Sequence, residues 1–168
     1  MKKFSSVEGR VIGIEMMKTT VNDESGCTMM MSIETRDGDN FNLVVGIDTY
    51  FVDHVNIRVG HNIIAFYNAL APTPMIFPPQ FRAIVIARMS KKQIVKVDNF
   101  NDELISSDES LRLNIGHKTH ILLQNGQTFL GEIKGRDLVV VYSASTKSIP
   151  AITTPSEIIV LCDNLDCV

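Results

Sequence analysis

The sequence predicts an all-β protein, and three observations carry that prediction. Apolar and polar residues alternate over most of the chain, as in a half-buried strand, whereas helical i, i+3, i+4 spacing is hard to find. Two dipeptides that favour tight hairpin turns, Asp37-Gly38 and Asn125-Gly126, stand between alternating runs. Gly9 and Gly13 lie inside a strand-like run, where glycine marks a bulge or sharp coiling.

The elements follow in order. Residues 7–17 form the first expected strand, bent at its glycines so that it can pair with two neighbours. Residues 18–26 are polar and turn-like. Residues 27–35 and 41–47 are the arms of a hairpin around Arg36-Asp37-Gly38-Asp39-Asn40, with Phe41, Leu43, Val45 and Ile47 on the core face. Asp48 offers an N-cap for about one helical turn ending near Asp53. A strand over 62–67, a long loop over 69–80 with Pro72, Pro74, Pro78 and Pro79, and a fifth strand over 81–89 complete the first half.

This order, the glycine-bearing first strand and the stretch Ile57-Arg58-Val59-Gly60-His61-Asn62-Ile63-Ile64-Ala65-Phe66-Tyr67 resemble an OB-fold, in which a short x-V-G-x turn leads into the fourth strand. The resemblance implies a five-stranded OB-like barrel over residues 1–90. Lys91-Lys92-Gln93 reads as a boundary, and residues 91–168 as a small β-rich domain or strands packed on the barrel. Strands are expected there at 94–97, 110–114, 119–123, 128–133, 138–143 and 158–161. Gln124-Asn125-Gly126-Gln127 and Lys134-Gly135-Arg136-Asp137 supply turns. The segment 135–161 also resembles pieces of uncharacterised bacterial proteins, a resemblance that implies no activity.

Bulk properties narrow the function. The chain has 168 residues, enough for one large domain or two small ones, and 45% hydrophobic with 21% charged residues excludes wholesale disorder. No apolar run approaches the ~18 residues of a membrane helix. The N-terminus reaches Glu8 before a signal-peptide core could form, so a soluble, cytoplasmic protein is expected. Cys27, Cys162 and Cys167 form no C-x-x-C pair, which signals neither a disulfide framework nor a zinc knuckle. The net charge of −3 is unevenly spread: 11 basic residues face 9 acidic ones up to Lys96, and 5 face 10 thereafter. Neither half carries the footprint of a dedicated phosphate-backbone binder.

An OB face binds single strands through aromatic side chains over a basic groove. Here the outward set would be Thr28, Met30, Ser32 and Glu34 with Asn42, Val44 and Gly46, which holds no aromatic, Lys or Arg. Nucleic acid is therefore the alternative partner, through Arg58, Arg82 and Arg88, and is disfavoured. Of Met29-Met30-Met31, only Met30 should point outward, which fits packing better than a thioether metal site. His117 and His120 fall on opposite faces of a strand, so no metal is expected. Asp37 and Asp39 fit turn chemistry better than a cation loop. Residues 143–154 are rich in hydroxyls, yet read as a surface loop leading to a capping box, Thr154-Pro155-Ser156-Glu157.

A nucleophile elbow, a phosphate loop, an H-E-x-x-H helix and a reactive cysteine frame are all missing from the sequence. A catalytic role is disfavoured, and no cofactor is expected. The strongest functional signal is Met75-Ile76-Phe77, apolar residues in a proline-stiffened connection. They predict a non-enzymatic interaction or assembly module that forms homo-oligomers through strand edges and this loop. A nucleic-acid or small-ligand binder is the alternative, and an enzyme of unknown chemistry comes third.

Overall fold

The computed structural model describes residues 3–18 and 20–162. Met1, Lys2 and Cys167 lie outside the described residues. The protein is all-β: thirteen strands and one 3-10 turn, with no α-helix among the described residues. It divides into two compact units, Met1–Met89 and Ser90–Val168.

In the first unit β1 (Phe4–Met16) pairs antiparallel with both β2 (Met29–Glu34) and β5 (Asn62–Asn68). Two glycines make that double pairing possible. A Cβ on Gly9 would stand 2.7 Å from the Glu34 carbonyl oxygen, so β1 can pass the end of β2 only without a side chain there. At Gly13 the register with β2 slips by a bulge between Val11 and Gly13. Before the slip Val7 and Val11 face the core; after it Ile14 and Met16 stand opposite Met31 and Met29 but are exposed.

β2 and β3 (Asn40–Val45) form the expected hairpin, closed by Thr35 N donating to Asp39 O at 2.8 Å, with Gly38 at φ +87°. Met31, Ile33, Leu43 and Val45 are buried with Val11, Ile63, Ala65 and Ile86 in one core, and Phe41 packs against it. Ile47, expected on that face, is exposed instead, because the strand ends at Val45 and a Gly46–Thr49 turn begins. The helical turn also shrinks. Tyr50–Phe51 is a short strand, β4, and Val52–His54 a 3-10 turn in which Asp53 and His54 are left-handed, at φ 61° and 52°. Asp48 caps nothing; its carboxylate holds Arg82.

The count of five strands is likewise corrected. The sheet comprises seven hydrogen-bonded segments in the order β4-β7-β5-β1-β2-β3-β6, because β4 is added and the last expected strand divides into β6 (Gln80–Arg82) and β7 (Val85–Arg88). β6 lies parallel to β3, while β7 lies antiparallel to β5. The two residues between them make the transfer: Ala83 N donates to Val44 O, and Ile84 N to Phe66 O.

The second unit holds a four-stranded sheet in the order β10-β13-β11-β8 and a separate parallel pair, β9 and β12. β8 is Ile94–Phe100, β9 Leu111–Leu113, β10 His120–Leu123, β11 Arg136–Tyr142, β12 Ala151–Thr153 and β13 Glu157–Leu161. Phe100, Leu111, Leu138, Val140, Ile158 and Val160 anchor its core. Two expectations fail here. Residues 128–133 make only a bridge from Thr128 to Leu122, since the chain turns at Gly131, which lies so close under the Phe129 ring that a Cβ would meet Cζ at 2.7 Å. Thr154-Pro155-Ser156-Glu157 starts no helix: Glu157 opens β13, whose Ile158, Ile159 and Val160 are fully buried. An uninterrupted apolar run of that length is a central strand.

Candidate functional site

The loop between β5 and β6 has two faces of different character. Its tip carries Met75, Ile76 and Phe77, exposed to 104%, 52% and 88%. No charged residue occurs from Leu70 to Gln80, so the tip is apolar without a charged rim of its own. Prolines flank it on both sides, limiting the conformations it can adopt. The loop's start is tied to the sheet by Ala69 N donating to Lys3 O at 2.7 Å and Leu70 N to Asn68 Oδ1 at 3.0 Å.

Behind the tip, Pro72, Thr73 and Pro74 form one wall of a cleft of about 480 Å³. Its floor and other walls come from Met17, Val44, Tyr67, Asn68, Ala71, Gln80, Phe81, Arg82 and Ile84. Tyr67 lies in β5 and Phe81 in β6, and their rings stack with centroids 4.1 Å apart and planes 18° from parallel. Phe41 adds a third ring 5.9 Å from Phe81. Alternation explains the group: Phe41 and Phe81 lie on the face of Leu43, at the margin of the core.

Arg82 stands at the cleft's edge with its charge engaged. Its Nη2 donates to both Asp48 oxygens, at 3.0 and 3.1 Å, across an exposed ion pair. Gly46 makes room for the pair, since a Cβ there would lie 2.8 Å from Asp48 Oδ1 and 3.1 Å from Arg82 Nη2. Thr49 fixes the turn by donating from Oγ1 to Ala83 O at 2.8 Å while accepting from Gly46 N at 3.1 Å. Arg88 is exposed at the end of β7 opposite Ile63, and Arg58 is exposed in the connector before β5. The three arginines therefore sit on a connector and on segments with different partner strands.

On the β2–β3 outer face, Ser32 donates to Asn42 Oδ1 at 2.9 Å, and Met30 stands opposite Val44. The face carries the residues expected of it, except that Val44 is buried. His117 lies in a turn and His120 opens β10, and no group of three potential metal ligands gathers among the described residues. Asp37 and Asp39 are exposed on the hairpin turn. The hydroxyls of residues 143–154 bond inward: Thr146 Oγ1 to Ser148 Oγ, Ser148 Oγ to Pro150 O, and Thr153 Oγ1 to Ala144 O. That wiring stiffens the loop and leaves few donors for an anion.

Sequence reasoning missed the cleft, whose lining residues Met17, Val44 and Tyr67 stand far apart in the chain, and it missed a polar hub in the second unit. There Asp108 accepts from Lys96 Nζ at 2.7 Å, Ser106 Oγ at 2.6 Å and Ser110 Oγ at 2.7 Å. Buried Asp98 accepts from Ser107 Oγ at 2.5 Å and Asn99 N at 2.8 Å. The only advance signal was the run Ser106-Ser107-Asp108-Glu109-Ser110, a turn-forming composition. Partial burial alone would raise the Asp108 pKa, but the bonds from Lys96, Ser106 and Ser110 outweigh it and hold the carboxyl well below its ordinary range. Burial, and then the charge of Asp108, push the Tyr142 hydroxyl upward.

No helix among the described residues is long and apolar enough to cross a membrane. No protein-family model, curated protein or solved structure matches the chain.

Proposed function

We propose that the protein is a non-enzymatic assembly module that self-associates through the proline-stiffened loop of its first unit. The observation that carries this reading is the exposure of Met75, Ile76 and Phe77 together on one short tip. Burying a large apolar side chain contributes roughly 1.5 to 3 kcal/mol, so a stiff tip presenting three of them favours a covering surface. A second copy fits best as the cover. The tip is uncharged, which gives no sign with which to select a charged partner, and a twofold axis sets an apolar patch against itself.

Strand edges contribute less than the loop. In the second sheet β10 is flanked by the returning turn, with Phe129 N donating to Ile121 O and Leu123 N to Gln127 O. The margin of β8 carries Lys96, a charge of the kind that discourages edge pairing, and Asp108 of the turn before β9 is bonded to it.

We further read the first unit as an OB-type barrel. Supporting this are the double pairing of β1 with β2 and β5, the β2–β3 hairpin, and the 80–88 stretch that joins β3 in parallel and β5 antiparallel. Single-stranded nucleic acid has less support, because Arg82 is paired and Arg58 and Arg88 flank no aromatic platform on the β2–β3 face.

The test is Ile76→Ser combined with Phe77→Ser, followed by light scattering on a sizing column and circular dichroism. The reading requires a lower mass with an unchanged β spectrum. A wild type that is monomeric at micromolar concentration would remove it.

A further inference from the structure

We propose that the cleft behind the loop is a binding site for a small flat heteroaromatic ring whose edge offers both hydrogen-bond donors and acceptors. The site is distinct from the tip: Pro72 and Pro74 line it, and Met75, Ile76 and Phe77 do not. Its volume of about 480 Å³ falls within the ~300 to 1,000 Å³ range of small-molecule pockets.

Three features select the ligand class. Tyr67 and Phe81 stack face to face, and a further ring is held by offset stacking on a ring face that this pair leaves uncovered. Met17, Val44 and Ile84 enclose the space with apolar surface, which excludes strongly hydrated, charged ligands. Polar groups stand at the rim without other work to do. Among the described residues, the Tyr67 hydroxyl and the Gln80 carboxamide make no hydrogen bond. Asn68 uses its Oδ1 on the Lys3 and Leu70 amides, which leaves its NH2 donors over. A carboxamide presents a donor and an acceptor side by side, the pattern that pairs with an N–H/C=O or amidine edge of a planar heterocycle. Asp48 offsets the Arg82 charge in an exposed ion pair, which favours a neutral ligand at this end.

Adenosine is the probe, observed by methyl and ring NMR of the full chain. Titration to ~10 mM, near the weakest useful affinity, is expected to shift Val44, Phe81 and Ile84. Gln80→Leu is expected to weaken binding roughly threefold or more, and Tyr67→Leu to weaken it further, with the rest of the spectrum retained. A short oligoadenylate strand should bind no more tightly per base than adenosine and show little salt dependence. No shift at the three reporters, or full affinity in Gln80→Leu, would overturn the assignment. Tighter, steeply salt-dependent binding of the strand would overturn it in favour of a nucleic-acid surface. If the reporters instead move with protein concentration alone, and cease to in Phe77→Ser, the occupant is the tip of a second copy; that result would refute the ligand site while supporting self-association.

Discussion

Asp108 gathers four hydrogen bonds, one from Lys96, one from Ser106 and two from Ser110, and they tie β8 to the turn before β9. A carboxylate held below its ordinary pKa stabilises the fold only while ionised. Its contribution is present above about pH 4 and drains away as the pH falls below that value. Urea unfolding of the wild type should therefore lose stability more steeply below pH 4 than that of Asp108→Asn; equal slopes would mean that the hub does not act as drawn. The same substitution should lower the Tyr142 pKa only in part, because burial is the larger cause of its rise. Ultraviolet titration of the three tyrosines reads this directly. Gly9 makes a different kind of demand. Since a Cβ would meet backbone rather than a yielding side chain, Gly9→Ala should cost on the order of 1 to 3 kcal/mol, measured by the denaturation midpoint. A change within a few tenths would show that β1 and β2 separate easily there.

At the scale of elements, the loop and the exposed strand edge make opposite predictions. Ile94 is exposed at the start of β8, the margin through which edge pairing would run. Ile94→Asp should leave the oligomeric mass unchanged while Ile76→Ser with Phe77→Ser lowers it, and the reverse result would move the interface to the second unit. The elements were legible where local chemistry decides them. Asp37-Gly38 announced the β2–β3 hairpin, and its predicted alternation agrees with the observed pairing of Ser32 with Asn42 and Met30 with Val44. Elements decided by distant partners were not legible. Residues 128–133 alternate like a strand, but after the contacts of Thr128 and Phe129 with β10 the Phe129 ring lies over Gly131, with the Arg136 guanidinium 5.2 Å above that ring, and the chain leaves the sheet. The capping-box pattern at residues 154–157 lost to neighbours on both sides, since β13 is paired with β10 and β11 at once. The exposed tip could be read from composition, whereas the cleft needed Met17, Val44, Tyr67 and Phe81 to converge from separate elements.

At the scale of the whole molecule, the all-β class came from periodicity and turn dipeptides alone, because a period of two leaves no stripe on which a helix could pack. Each unit carries its own core, one around Ile33, Leu43 and Ile63, the other around Phe100, Leu138 and Ile158. Lys91 and Lys92 lie exposed between the last strand of one and the first of the other. Limited trypsin digestion should cut there first. Early cleavage at Arg82, inside the first sheet, would mean that the unit is less closed than its pairing indicates. Assembly through the Met75-Ile76-Phe77 tip is read from the mass of the full chain in solution, measured by sedimentation equilibrium from low to high micromolar concentration. The mass should exceed the 18.7 kDa of one chain and fall toward it on dilution and in the Ile76→Ser, Phe77→Ser variant. A constant 18.7 kDa across that range would contradict assembly.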